Sequence, residues 1–168
     1  MAIIAGFGLE KIEFGAIAAD GGVSAAFSQW GVTPDDETAQ FTVGKPDIKE
    51  FRSIENDDPE FVFESKKGTA KFEGSMFDVS SATLAKALGG TVAAGVYSSP
   101  SESFSLEQSV KATTLTGNVI TAVRCKVVFW ITWNFKKDAI AKLSYEATVL
   151  KPTKAATPSW SIADPVAV

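Results

Sequence analysis

The chain has 168 residues, 45% of them apolar and 21% charged, the balance of one globular domain with a core and not of a disordered polymer. It contains no histidine and a single cysteine, Cys125, which excludes histidine triads, histidine or cysteine-cluster zinc sites and any intrachain disulfide. The net charge of -4 opposes a protein that grips phosphates by releasing counterions.

The opening MAIIAGFGLEKIEF meets glycine and charge too soon for a secretory signal, so export by that route is not expected. Alternating β-branched and aromatic residues predict strands. The first is expected over 9–18, followed by the turn signal Asp20, Gly21, Gly22. A long irregular connection through Phe27 and Trp30 reaches the acidic residues 35–37, and a second strand is expected over 39–44. A third, over 47–54, is polar on both faces apart from Ile48, Phe51 and Ile54. The acidic stretch 55–60 reverses the chain at Pro59. Phe61 and Phe63 then share one face of a further strand, and from Thr69 to Met76 comes the cleanest alternation in the chain.

Over 78–90 the period changes. Asp78 or Ser80 can cap, Leu84 and Leu88 stand four apart on one face, and Gly89 sits where a helix stops. Strands return over 102–113, over 118–133 and over 139–150; in the second of these Val119, Val123, Cys125, Val127, Phe129, Ile131 and Trp133 share a face. The most apolar run, 119–135, is broken by Arg124, Lys126, Thr132 and Asn134 and does not read as a membrane span. About eight strands and one helix predict a mainly β fold, a β-sandwich or partly open barrel with one short flanking α-helix. Residues 1–150 read as the single domain, and 151–168, rich in proline, alanine and serine, as a C-terminal arm or tail.

Few residues offer chemistry. Gly6 and Gly8 lack the third glycine and the preceding strand of a phosphate loop. Asp35, Asp36 and Glu37, and Asp57, Asp58 and Glu60, read as solvated turns beside Pro34 and Pro59 rather than as a calcium site or an acid and base pair. Cys125 alternates with valines and reads as a small buried hydrophobe. Trp133 is expected in the core; Trp30 and Trp160, in a loop and in the tail, are expected at a protein interface. No catalytic residue, cofactor or metal ligand is nominated, and no enzyme is expected.

The run Glu64, Ser65, Lys66, Lys67, Gly68 before a strand, then Phe77-Asp78-Val79 and ATLAKALGGTV over 82–92, resembles the tail tube (major tail) protein of long-tailed bacteriophages. Ile12, Glu13, Gly15, Ile17, Ala18, Ala19, Asp20, Gly21 and Gly22, and the acidic turn 55–60, fit the same pattern, so the likeness spans most of 8–95. It implies a β-sandwich with one flanking helix, six copies forming a ring and stacked rings forming a tube for DNA, with tape measure and tail completion proteins as further partners and the virion tail as the location. Four strands from each of six copies at ~4.8 Å give a circumference of roughly 115 Å and a backbone diameter of roughly 37 Å. DNA would pass without sequence-specific binding and without a membrane, and six copies at -4 each carry -24, a repelling conduit. On that implication alternation puts Gln40, Thr42, Glu50, Arg52, Glu64, Lys71, Glu73 and Ser75 on the lumen side, Arg52 and Lys71 pairing with neighbouring glutamates. Contacts between rings fall to the 21–38 loop with Phe27, Trp30, Asp35 and Asp36, and to Trp160. The rival expectations are an inner-tube protein of a contractile tail or injection machine, and a monomeric carbohydrate-binding β-sandwich suggested by four tryptophans.

Overall fold

The computed structural model describes residues 8–35, 39–55 and 58–165. In chain order the elements are β1 (Leu9–Gly15), β2 (Gln40–Val43), β3 (Asp47–Arg52), β4 (Pro59–Lys66), β5 (Ala70–Met76), α1 (Ser81–Leu88), β6 (Thr91–Ala93), β7 (Val96–Ser98), β8 (Leu106–Thr114), β9 (Val119–Thr132), β10 (Lys142–Val149) and β11 (Trp160–Ala163). Seven strands form one antiparallel sheet in the order β1-β8-β9-β10-β5-β2, with β11 added to β9. The sheet curls strongly into an open half-barrel, so the expected mainly β fold with one short helix is the observed one.

Alternation explains which side is filled. Phe14, Phe72, Met76, Val110, Cys125, Val127, Leu143, Tyr145 and Ala147 point into the concavity and are buried. Each such large side chain withdrawn from water contributes about 1.5–3 kcal/mol. The helix closes over this core with Leu84 and Ala87. Its start is built by Asp78 and Ser80: Asp78 accepts from Ser80 N at 2.8 Å and from Thr83 Oγ1 at 2.6 Å, while Ser80 Oγ accepts from Thr83 N at 3.4 Å. Its end is Gly89, whose φ of 74° suits a residue without Cβ.

β9 is the longest strand and serves two neighbours on one edge. Residues 125–132 pair with β10, and 119–122 pair with β11. A register shift in β8 between Gln108 and Val110 accompanies this change of partner. There Ser109, fully buried, donates to Val123 O at 2.7 Å and accepts from Ser24 N at 3.0 Å, so its hydroxyl is satisfied.

The segments expected as loop and tail fold back onto the half-barrel. Ser28 bridges Phe14 through two 2.9 Å backbone bonds, bringing the Trp30 ring to 5.1 Å from Phe14 and 5.7 Å from Phe129. Trp160, on β11, meets Phe41 edge-on at 5.3 Å. Lys154 Nζ lies 2.6 Å from Asp20 Oδ2, tying residues 151–159 to the glycine turn. Gly21, at φ 77°, is required there, because a Cβ would lie 1.9 Å from Thr153 Oγ1. Trp133 differs from its expected core position: it lies one residue past β9 and is 53% exposed, because cover on its side has already run out, from Phe129 at 7% to Ile131 at 37%.

β3 and β4 form a separate two-stranded sheet. Because β2 leads into β3 and β4 into β5, this hairpin is an arm leaving the half-barrel at the Val43/Ala70 end. Its neck is tight: Gly44 N donates to Thr69 O at 2.8 Å, and a Cβ on Gly68 would sit 1.7 Å from Gly44 O. Every described residue of β3 and β4 is exposed.

Candidate assembly surfaces

The convex face of the sheet takes the other parity of each strand and is polar except on β9, where Val128 and Trp130, opposite Glu146 and Ser144, are exposed. Register places Gln40 opposite Glu73 and Thr42 opposite Lys71, then Glu73 opposite Glu146 and Lys71 opposite Thr148. Gln40 Nε2 donates to Glu73 Oε2 at 2.8 Å, and Lys71 Nζ to Glu146 Oε1 at 2.9 Å. Gln40, Thr42, Lys71 and Glu73 are thereby brought together as expected. Ser75 keeps their parity but is 2% exposed, a correction: a residue shielded within one chain cannot line water. It lies at the end of β5 that residues 16–35 reach, where Phe77 N donates to Val32 O at 3.0 Å. Glu50, Arg52 and Glu64 are not on this face but on the arm. The pairings expected for the two cations differ accordingly: Lys71 finds its glutamate across the strand, Arg52 finds Glu50 two residues along its own, at 3.1 Å.

Several cations of the convex face have carboxylate partners. Arg124 is held bidentate by Glu107 at 2.8 and 3.0 Å, and this hydrogen-bonded pairing raises the guanidinium pKa and lowers that of the carboxyl. Glu13 lies 3.0 Å from Lys111 and 3.5 Å from Lys11. Burial would raise its pKa, but the two ammonium groups outweigh burial and hold it below the ordinary value. Lys126 bonds Ser105 Oγ. Surface pairs of this kind are worth about 0–1 kcal/mol each, so their main effect is to cancel the field of the cations.

The residues expected between rings lie apart. Phe27 is half-buried with Lys111 Nζ 5.0 Å over its ring. Trp30 and Trp160 are half-buried against Phe14, Phe129 and Phe41, so within one chain they serve packing. Asp35 lines a cleft of about 610 Å³ with Phe77, Asn134, Asp138, Ile140 and Lys142. Asp36 lies outside the described residues.

Two exposed apolar areas were missed from the sequence. On the arm, Phe51 and Phe63 stack at 5.4 Å and 13°, and Phe61 shares their face opposite Phe51. On the far stretch of β9 and the connection to β10, Trp130, Trp133, Phe135 and Ile140 are all exposed. The readable signal was strand length: a 14-residue β9 (about 46 Å at 3.3 Å per residue) runs on past Val127, where its pairing with the nine-residue β8 begins at Leu106.

A cavity of about 230 Å³ lies in the gap between the edges β1 and β2, lined by Leu9, Ile12, Phe41, Phe72 and Ile120, with Gln40, Thr114 and Tyr145 as its polar side chains. That set lacks a nucleophile paired with a base. Cys125 is buried, and loss of water pushes its thiol up to about 12, away from thiolate chemistry. Among the described residues no three His, Cys, Asp or Glu side chains stand together as a metal site, and no helix is long and apolar enough to cross a membrane. No family model matches the chain, and no curated protein matches it in sequence.

Proposed function

We propose that this chain is a structural subunit that joins copies of itself in rings, six to a ring, stacked into the tube of a phage tail through which DNA leaves. The observation that carries this reading is a half-barrel whose two exposed aromatic areas lie off its filled concave core, on a protruding arm and on the overrun of β9. Monomers rarely leave such patches to water, whereas subunits bury them against one another. The convex face supports the conduit: Lys71, Arg124, Lys111 and Lys11 are already paired with carboxylates, which weakens its grip on a polyanion. The tape measure and tail completion proteins would be the other partners, and the virion tail the location. A contractile-tail inner tube would use the same surfaces.

Size-exclusion chromatography with light scattering, followed by negative-stain imaging of purified chain, tests the reading. It predicts annular particles or tubes whose formation grows with concentration. A monomer persisting at high concentration, binding glycans instead, would refute it.

A further inference from the structure

The cavity of about 230 Å³ between β1 and β2 is lined almost wholly by apolar groups. Ile12, Phe41, Phe72, Ala112 and Ile120 supply most of the surface, and no Lys, Arg, Asp or Glu stands among the described residues around it. Of its three polar side chains, two are already engaged. Gln40 Nε2 donates to Glu73 Oε2 at 2.8 Å, and Thr114 Oγ1 lies 3.0 Å from both Thr116 Oγ1 and Asn118 N. Tyr145 is the third. It is 1% exposed, and its hydroxyl oxygen has no hydrogen-bond partner among the described residues. The ring crosses Gly74, its partner on β5, where a Cβ would lie 2.5 Å from that oxygen.

These walls select by size, charge and polarity. An apolar cavity of about 150 Å³ takes benzene, so one of about 230 Å³ takes about nine heavy atoms on the same ratio. An ion brought here would lose its hydration and meet no opposite charge. A water molecule needs two to four polar partners, and a single uncommitted hydroxyl does not supply them. Entry need not break a ladder, because β1 and β2 end the path of the sheet and pair only with β8 and β5. We propose that this gap binds an uncharged, largely apolar molecule of about nine heavy atoms that carries one carbonyl or hydroxyl oxygen, held through that oxygen by Tyr145. The hydroxyl that is a liability to the free chain becomes the point of recognition. The site stands apart from the assembly reading, since its walls belong to one chain.

Acetophenone, cumene and benzoate have equal numbers of heavy atoms and carry, in turn, a carbonyl, no oxygen and a charge. Saturation-transfer NMR observes the small molecule, so it reads binding whether the chain is single or assembled; thermal unfolding with each probe is the second readout. Wild-type chain should bind acetophenone and cumene and not benzoate. Tyr145→Phe keeps the ring, and should weaken acetophenone about fivefold, the contribution of one hydrogen bond, while leaving cumene unchanged. Ala112→Leu puts a larger side chain into the same volume and should abolish binding of both. Circular dichroism checks its fold; if it does not fold, the Tyr145→Phe comparison decides alone. The site is overturned if neither neutral probe binds, or if benzoate binds as well as acetophenone. It is overturned equally if Tyr145→Phe weakens both neutral probes alike or neither, or if folded Ala112→Leu binds them undiminished. None of these outcomes touches the subunit reading, which stands or falls on the formation of rings.

Discussion

At the residue scale the described core holds polar atoms that work against it, Ser75 Oγ and the Tyr145 hydroxyl among them. The Tyr145 hydroxyl is buried without a hydrogen-bond partner among the described residues, and burial raises its pKa. An unpaired buried hydroxyl costs about 1–3 kcal/mol, whereas its ring packs against Phe14 and Phe129. Tyr145→Phe should therefore leave stability unchanged or raise it by up to about 1 kcal/mol, measured by urea unfolding. A loss above about 1 kcal/mol would reveal a partner for that oxygen. Glu13 makes the opposite case. Its pKa is depressed in the fold by Lys111 and Lys11 despite burial, so it contributes stability above its ordinary value of 4.5 and loses it as pH falls through the folded value. Wild-type chain should exceed Glu13→Gln in stability at neutral pH, and the gap should close as pH is taken well below that value. A gap independent of pH would contradict the ion-pair account.

At the element scale the arm depends on its neck. At Gly68 a Cβ would strike the carbonyl oxygen of Gly44, a backbone atom that cannot swing aside. Gly68→Ala should pry the two strands apart there, costing about 1–3 kcal/mol locally. Amide exchange should quicken in β3 and β4 and stay slow in β8 and β9; equal protection of the arm in both proteins would show that the neck does not hold it. Most elements were readable because alternation and capping are local: the strand expected from Thr69 to Met76 is Ala70–Met76, and the helix Ser81–Leu88, capped by Ser80 and stopped at Gly89, lies inside the expected stretch 78–90. What was not readable depends on distant partners. β11 is four residues of unremarkable composition that become a strand only because β10 ends and leaves an edge of β9 open. Trp30 and Trp160 read as interface residues because they lie outside any regular pattern, yet each finds an aromatic wall supplied by remote strands. Ser75 and Trp133 erred in the reverse sense, since alternation assigns a face but not how far cover extends along it.

At the scale of the whole molecule, the curl of the sheet separates three surfaces: a filled concave core, a convex face with paired charges, and two areas of exposed aromatic groups. Parity along β2 and β5 suffices to put Gln40, Thr42, Lys71 and Glu73 on one face, while the detachment of Glu50, Arg52 and Glu64 onto the arm required the break at Gly44 and Gly68. The account's central claim is that identical half-barrels surround a channel with their convex faces inward. Electron cryomicroscopy of the assembled chain tests it most directly. The account predicts a hollow cross-section with sixfold symmetry and Lys71, Glu73 and Glu146 at the channel wall; a solid particle, or a channel lined by the arm aromatics with the convex face turned outward, would contradict it.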